Sequence, residues 1–452
     1  MAKKNSKAFA LAQRLGRSLM LPIATLPAAG LLLRLGQADV LGADGLAKWG
    51  GSPVQFIADM FNAAGGAVFG NLPMLFAVGV AVGFAKKSDG STGVAAVFGF
   101  LVYTKVTEAM SSYVFEVVDG KPADTVNFGV LGGIVVGILA AMLWQKYYRI
   151  KLPDWLAFFG GRRFVPIITS VYTLVLGVAM SLLYWPFDWL INKQLGAWLM
   201  SAGSPDASAG SRAFVGFIYG IINRLLIPFG LHHLWNSIPW FQLGSCVDKD
   251  GKELHGDLTC FFSGTPETSA WTGNFTTGFF PIMMFALPAA ALAMAHVAYN
   301  QKKAATKALM VSVAFTAFLT GVTEPLEFAF AYVAFPLYAV HAVLTGSALA
   351  VTNALGAKDS FAFSAGAIDF LLNLGKSADK SGGWFNGPIL LIIIGLVYAV
   401  IYYFVFRFMI VKFDFKTPGR EDDETDAFAA AQETAAARTG KAAAEAAAAE
   451  AK

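Results

Sequence analysis

Charged side chains are scarce in this chain. Of its 452 residues only 14% are charged, whereas 56% are hydrophobic. Soluble globular domains carry about 25% charged residues, so this deficit excludes an ordinary soluble protein and indicates an integral membrane protein. Apolar stretches close to the ~20 residues of a helical span recur along the chain. We therefore expect an all-α polytopic membrane fold with about ten transmembrane helices.

Motifs for several kinds of soluble chemistry are also missing. The only two cysteines, Cys246 and Cys260, form no C-x-x-C pair, and no zinc-ligand spacing, Walker loop or G-x-S-x-G elbow occurs. We predict no cofactor and no metal. The basic residues collect at membrane edges, so nucleic-acid binding is not expected. Both cysteines lie in one polar loop and could pair only if that loop reached an oxidising space, a question that the sequence leaves open.

Lysine and arginine are unevenly distributed. They collect in the N-terminal tail, at 145–151, at 301–303 and after the last apolar stretch. Loops rich in these residues face the cytoplasm, so both termini are predicted to be cytoplasmic, with no cleavable signal peptide. Residues 1–17 are predicted to form one tail. Residues 416–452, with five basic and eight acidic residues and an alanine-rich end, form a second tail that has no apolar face to bury.

Two carboxylates interrupt the apolar run F-L-T-G-V-T-E-P-L-E-F-A-F-A-Y-V-A-F at 318–335. Pro325 suits the first position of a helix and disfavours helical geometry before it, which predicts a break at 321–324. Glu327 then lies in the first helical turn, where an acid is favourable, and we assign it a structural role. Glu324 lies at the break itself. An ionisable group on unwound backbone within a membrane indicates a functional site.

A second interrupted run, I-N-R-L-L-I-P-F-G-L-H-H-L-W-N, carries Arg224, His232, His233 and Asn236. A proline and a glycine break it, which suggests a second re-entrant element. Arginine donates hydrogen bonds in a fixed geometry, glutamate accepts them, and histidine can do either. Together these groups suit the hydroxyls of a sugar, so the sequence predicts a binding site here.

These two runs, with R-I-K-L-P-D-W-L-A-F-F-G-G-R-R-F-V-P-I and the closing K-T-P-G-R-E-D, closely resemble the membrane component (IIC) of the glucose-type permeases of the bacterial phosphoenolpyruvate-dependent sugar phosphotransferase system. The resemblance implies a homodimer whose protomers have two re-entrant hairpins, near 228–245 and 318–328. Residues 18–415 would form the membrane domain. Its scaffold would span 18–190, and an elevator-type transport part would span 212–412.

The resemblance also implies roles for individual residues. Glu324 would hold sugar hydroxyls and act as the base toward the hydroxyl to be phosphorylated. Arg224, His232 and Thr323 would line the same site, and His233 and Asn236 are further candidates. In this family the phosphoryl group arrives on a cysteine of a IIB domain with a C-I-T-R-L-R motif, which this sequence lacks. The expected activity is therefore that of a sugar phosphotransferase formed with a separate IIB protein, with no phosphorylated residue on this chain.

Three segments bear on the substrate: G-F-F-P-I-M-M-F-A-L-P-A-A-A-L-A-M, the second interrupted run with W-F-Q-L-G, and F-S-A-G-A-I-D-F. They look more like N-acetylglucosamine permeases than glucose permeases, so N-acetylglucosamine is predicted and glucose is the alternative. The last segment contains Phe363, Ser364 and Asp369.

An ion-coupled secondary transporter would also have broken helices and a buried acid, but it would release unmodified sugar. A polytopic glycosyltransferase is disfavoured, because the longest polar loop, at about 245–274, is short.

Overall fold

The structure is a computed structural model, and it is helical almost throughout. It describes residues 15, 18, 19, 22, 26–86, 88–118, 121, 122, 125–189, 194, 197, 198, 201, 204, 206–229, 231–248 and 251–420. Most of the predicted N-terminal tail, and the C-terminal tail beyond residue 420, lie outside these residues. The predicted fold class, an all-α membrane protein, is confirmed.

The first half of the chain packs around an apolar core between α3 and α5. The described helices up to residue 188 are α1 (Leu26–Leu35), α2 (Ala47–Gly70), α3 (Leu72–Phe84), α4 (Gly90–Val114), α5 (Gly129–Tyr147), α6 (Phe164–Leu182) and α7 (Tyr184–Asp188). A two-residue hairpin pairs β1 (Val117–Val118) with β2 (Lys121–Pro122), and two 3-10 turns, Asp154–Phe159 and Gly161–Arg163, precede α6. Helix α3 packs along α5, and α4 packs along α6. Phe76, Ile134 and Trp144 are buried in the shared core.

The second half contains the broken helices. Its helices are α8 (Ala209–Leu226), α9 (His232–Phe241), α10 (Asp257–Ser263), α11 (Leu287–Val297), α12 (Lys303–Thr320), α13 (Glu324–Ala331), α14 (Phe335–Leu355), α15 (Ala367–Lys380) and α16 (Pro388–Lys412). A 3-10 turn, Ile227–Phe229, follows α8, and a π-helical turn, Pro281–Ala286, precedes α11. A second apolar core lies among α11, α13, α14 and α16, where Phe330, Tyr402 and Phe406 are fully buried.

Seven helices of the described residues are long and apolar enough to cross a membrane. The number becomes eight if α2 and α3, which meet at a bend of 56°, form one broken span. Pro281–Val297 is a shorter apolar helix. The expected count of about ten spans stays a prediction, because short and broken segments contribute to it.

Glycines bring α8 and α14 into close contact. A Cβ atom on Gly220 would lie 2.8 Å from the Cα of Gly346, and one on Gly346 would lie 2.6 Å from the carbonyl oxygen of Phe217. Small residues at such positions allow the helix backbones to approach closely, as is common between membrane helices. This pair holds α8, which carries Arg224 near its end, against α14.

A disulfide-linked hairpin follows α9. Strands β3 (Ser245–Val247) and β4 (Glu253–His255) pair antiparallel, and β4 leads into α10. Cys246 on β3 and Cys260 on α10 form a disulfide, with their Cα atoms 5.8 Å apart and both side chains buried. The pairing that the sequence left open is therefore present in the structure.

Candidate functional site

The chain leaves helical geometry at both places where the sequence predicts a break. Helix α12 ends at Thr320, and Gly321 has a φ of 73°, a left-handed conformation that glycine adopts readily. The next helix, α13, begins at Glu324, with Pro325 in its first turn as expected. On the other side, α8 ends at Leu226 and α9 begins at His232. The two breaks bring the start of α9 beside the start of α13.

Glu324 and His232 face each other across these helix ends. The carboxylate oxygen Oε1 of Glu324 lies 3.7 Å from Nε2 of His232. This separation is too long for a hydrogen bond but short enough for a strong electrostatic interaction when the imidazole is protonated. The Glu324 side chain is 30% exposed, whereas that of His232 is 9% exposed. The carboxylate can therefore still accept hydrogen bonds from a ligand.

His233 packs directly on His232, with the two ring centroids 3.8 Å apart. One donor atom from each histidine and one carboxylate oxygen of Glu324 lie within 4.8 Å of one another. Two histidines and a glutamate are a donor set that zinc accepts. The sequence predicts no metal here, and that remains a prediction.

Thr323 and Asn236 support the two breaks. Thr323 is buried, and its carbonyl oxygen accepts hydrogen bonds from the backbone N–H groups of Leu326 (3.0 Å) and Glu327 (2.9 Å). Asn236 is also buried, and its Oδ1 accepts hydrogen bonds from Tyr219 Oη (2.7 Å) and Asn223 Nδ2 (2.6 Å). Asn236 thus ties α9 back onto α8. Thr323 directly precedes Glu324 in the chain. The hydrogen-bond partners of the Asn236 oxygen are Tyr219 and Asn223, both on α8.

Arg224 lies against Glu327. Its Nη1 donates a hydrogen bond to Glu327 Oε1 over 2.6 Å, and the two side chains are 1% and 0% exposed. Its guanidinium also lies 4.9 Å from the centroid of the Phe279 ring. Within the described part of the chain, Nε and Nη2 of Arg224 are buried without a hydrogen-bond partner. The contact of Arg224 with sugar stays a prediction. Nε and Nη2 are the two donors that would have to make this contact.

Two residues of α14 complete the surroundings of Glu327, and the sequence analysis missed both. Nε2 of His341 lies 3.6 Å from Glu327 Oε1, and the hydroxyl of Tyr338 lies 3.4 Å from Glu327 Oε2. Both residues are buried. The usable signal was a histidine within an apolar span, because intramembrane ionisable residues are rare and usually have a partner.

The segment that contains Phe363 and Ser364 is fastened at both ends. The carboxylate of Asp369 accepts hydrogen bonds from the backbone N–H groups of Ala362 (2.7 Å), Phe363 (3.3 Å) and Ser364 (3.2 Å). The Ser364 hydroxyl donates to the carbonyl oxygen of Gly321 over 2.9 Å. Asp369 therefore shapes the loop that supports the Glu324 break.

The chain is similar to known proteins over most of its length. A family model described as "Phosphotransferase system, EIIC" matches residues 16–346. The chain is 51% identical over 424 residues to the N-acetylglucosamine-specific EIIC component of Streptomyces coelicolor, covering 93% of this chain and 95% of that protein. It is 44% identical over 437 residues to the glucose-specific EIICBA component of Staphylococcus saprophyticus (92% and 61%). It is also 41% identical over 414 residues to the N-acetylglucosamine-specific EIICB component of Bacillus subtilis (92% and 80%).

Proposed function

Because the chain belongs to the EIIC family of the phosphotransferase system, we propose that it carries N-acetylglucosamine across the bacterial cytoplasmic membrane while a separate IIB protein phosphorylates the sugar. One observation supports N-acetylglucosamine as the substrate. The chain is 51% identical, over nearly the whole length of both chains, to a protein named as N-acetylglucosamine-specific. Glucose is the second candidate, because a glucose-specific relative is 44% identical.

The chemistry proposed for the site centres on Glu324. Its carboxylate accepts hydrogen bonds from sugar hydroxyls and takes the proton of the hydroxyl at C6. The freed oxygen attacks the phosphorus of the phosphocysteine on IIB, the bond between phosphorus and sulfur breaks, and the thiolate leaves. The products are N-acetylglucosamine 6-phosphate and unphosphorylated IIB. Two observations support Glu324 as the reacting carboxylate: its side chain is 30% exposed, and Arg224 is hydrogen-bonded to Glu327.

The transport cycle proposed here moves one half of each protomer against the other. The scaffold would be residues 18–190 and would form a homodimer, and the moving part would be residues 212–412. The apolar core among α11, α13, α14 and α16 shares no buried residue with the core between α3 and α5, which supports this division. The proposed orientation places both termini in the cytoplasm and is supported by the basic residues at the ends of α5 and α16.

Proteoliposomes containing the full chain test the proposal. They would be loaded with the general phosphotransferase proteins, a IIB protein and phosphoenolpyruvate, and uptake of radiolabelled N-acetylglucosamine and glucose would be measured. We expect N-acetylglucosamine 6-phosphate to form only when IIB and phosphoenolpyruvate are present. Accumulation of free sugar without them would overturn the proposal in favour of ion-coupled transport. Phosphorylation of glucose alone would overturn only the proposed substrate and would leave the proposed mechanism standing.

A matched pair of variants tests the role proposed for the Glu324 carboxylate. Glu324→Gln keeps the size of the side chain and removes its charge, so sugar phosphate formation should fall by about 100-fold or more, as expected for loss of a general base. Glu116→Gln makes the same change at an exposed position beyond α4 and should keep full activity. Full activity of Glu324→Gln would refute the role given to this carboxylate.

A further inference from the structure

A cavity of about 820 Å³ lies apart from the site that Glu324, His232 and their neighbours form at the two helix breaks, which is called the hairpin site below. Its walls come from the segment between α1 and α2, from the loop after α10, and from α15 with the loop before it. None of the six predicted site residues lines it. Sites for small molecules occupy roughly 300–1,000 Å³, so this cavity, called the polar cavity below, has the size of a ligand site.

The walls of the polar cavity carry both signs of charge. Four cationic and three anionic side chains line it: Arg212, Lys358, Lys376, Lys380, Asp39, Asp44 and Asp379. The amides of Gln37 and Asn62 and the ring of Phe262 lie among them. Sugar hydroxyls both donate and accept hydrogen bonds, so they can pair with the amines and with the carboxylates of this lining, whereas a phosphate can pair only with the amines. The mixed lining therefore favours a neutral, hydroxyl-rich ligand.

Neutral acceptors hold the lysines of the cavity in place. Nζ of Lys380 donates to Ser269 Oγ over 2.7 Å, and Nζ of Lys376 donates to Gln37 Oε1 over 3.0 Å. Burial lowers the pKa of Lys380 to about 8, so most of this amine stays protonated at neutral pH. The polar cavity thus presents fixed donors next to the carboxylates of Asp44 and Asp379, which are exposed.

The polar cavity lies toward the Pro388 end of α16, opposite the basic Lys412 end of that helix. At the Lys412 end of α16, the N–H of Tyr299 donates to the carbonyl oxygen of Gly419 over 2.9 Å, which places the basic loop at 301–303 beside the basic end of α16. At the Pro388 end, the N–H of Lys358 donates to Ser381 Oγ over 2.9 Å. Because basic loops face the cytoplasm, the cavity faces outward.

The disulfide agrees with this orientation. Gly264 lines the polar cavity, and a Cβ atom on it would lie 2.9 Å from Sγ of Cys246. The Cys246–Cys260 bridge therefore lies directly behind one cavity wall. Disulfides persist outside the cytoplasm, where the environment is oxidising.

One loop connects the polar cavity with the Glu324 break. Lys358 lines the cavity, and six residues later the Ser364 hydroxyl bonds to the carbonyl oxygen of Gly321. The same loop is buried for most of its length. A sugar held in the polar cavity would therefore lie next to the backbone that supports the hairpin site.

We propose that the polar cavity is an extracytoplasmic capture site that binds the incoming sugar through its hydroxyls before the sugar reaches Glu324. This inference rests on the proposed function, because it assumes that the transported ligand is a sugar. The site binds weakly and reversibly, and it raises the local concentration of sugar at the outer opening. Its charged side chains provide hydrogen bonds and take no part in phosphoryl transfer.

Protection of an introduced thiol tests this proposal without requiring transport. Asp379→Cys would be made in the Glu324→Gln protein, in which the hairpin site has lost the carboxylate proposed to bind the sugar hydroxyls. Both native cysteines are in the disulfide, so the new thiol is the one that a membrane-impermeant reagent labels. We expect N-acetylglucosamine to slow the labelling at least threefold. Labelling of the matched control, Glu116→Cys, should not change. Arg162 pairs with Asp89 at the start of α4, so Glu116, beyond the other end of α4, also lies away from the basic cytoplasmic loops.

Asn62→Cys, on α2 and also in the lining of the cavity, repeats the test if Asp379→Cys does not fold. Unchanged labelling of the cavity thiols at saturating sugar, or equal slowing at Glu116→Cys, would overturn the proposal. Slowing by inorganic phosphate but not by sugar would also overturn it and would indicate an anion site.

A kinetic measurement in the otherwise unchanged protein gives a second readout. Asp44→Asn should raise KM for uptake by about threefold to tenfold, the effect of losing one charged hydrogen bond, with the maximal rate unchanged. A fall in the maximal rate at constant KM would contradict a capture role. If Glu324→Gln keeps its activity, the proposed reacting carboxylate fails, while the comparison of wild type with Asp44→Asn still decides whether the polar cavity captures sugar.

Discussion

Glu324 and Glu327 lie one helical turn apart, yet neutralising Glu327 should cost much more stability than neutralising Glu324. Glu327 is fully buried and pairs with Arg224, which is 1% exposed. Glu327→Gln would leave the guanidinium buried without its counter-charge, and breaking a buried pair in this way costs about 3–5 kcal/mol. Glu324 is 30% exposed and lies 3.7 Å from a histidine, so its pairing contributes about 0–1 kcal/mol.

Thermal unfolding of the purified variants measures this difference. One kcal/mol lowers Tm by roughly 2–4 °C in a unit of 150–250 residues, which is the size of the second half of this chain. Glu327→Gln should therefore lower Tm by about 6 °C or more, and Glu324→Gln by less than about 4 °C. The double variant Arg224→Leu with Glu327→Leu removes both charges and should recover most of the lost stability, because an apolar pair can replace a buried ion pair.

Equal Tm values for wild type and Glu327→Gln would refute this reasoning, since they would show that Arg224 does not depend on this carboxylate. A large loss of stability in Glu324→Gln would refute it as well. It would mean that the two glutamates share one structural task.

The remaining predictions concern binding, the tail and the disulfide. His232→Ala should weaken sugar affinity in equilibrium binding by about tenfold, the effect of losing one good hydrogen bond, and unchanged affinity would contradict its place in the site. Deleting residues 425–452 should leave sugar phosphorylation with IIB intact if that segment is only a solvated tail, whereas loss of phosphorylation would show that it helps IIB to dock. Cys246→Ser with Cys260→Ser should lower stability by about 3 kcal/mol, because the bridge closes a loop of 14 residues. An unchanged Tm would show that the bridge does not constrain the unfolded chain.

Local features of the fold could be predicted from the sequence. The break before Glu324 follows from Pro325 and from a glycine that adopts a left-handed conformation, and both signals act within a few residues. The membrane class follows from composition alone. The structural role assigned to Glu327 rested on the helix dipole, whereas the structure gives it the guanidinium of Arg224 as its main partner.

Pairings between distant parts of the chain could not be predicted in the same way. Arg224 and Glu327 are 103 residues apart, and the sequence predicted Arg224 as a sugar ligand. The polar cavity brings Gln37 beside Lys376 across 339 residues. Such contacts depend on how whole helices pack, which no local pattern encodes. His341 was detectable as an ionisable residue in an apolar span, but its partner was not.

The pairing of Arg224 with Glu327 has a chemical consequence for Glu324. A guanidinium bonded to the reacting carboxylate would occupy the oxygens that must receive the sugar hydroxyl, and its charge is permanent. Instead, Nη1 of Arg224 is hydrogen-bonded to Oε1 of Glu327 over 2.6 Å. Glu324 is left beside His232, whose Nε2 lies 3.7 Å from its Oε1, too far for a hydrogen bond, so the carboxylate oxygens stay open to a ligand. The two acids, one turn apart, therefore have different roles in this proposal. Glu327 neutralises the fixed charge that the hairpin buries, and Glu324 stays available to accept a proton from the substrate.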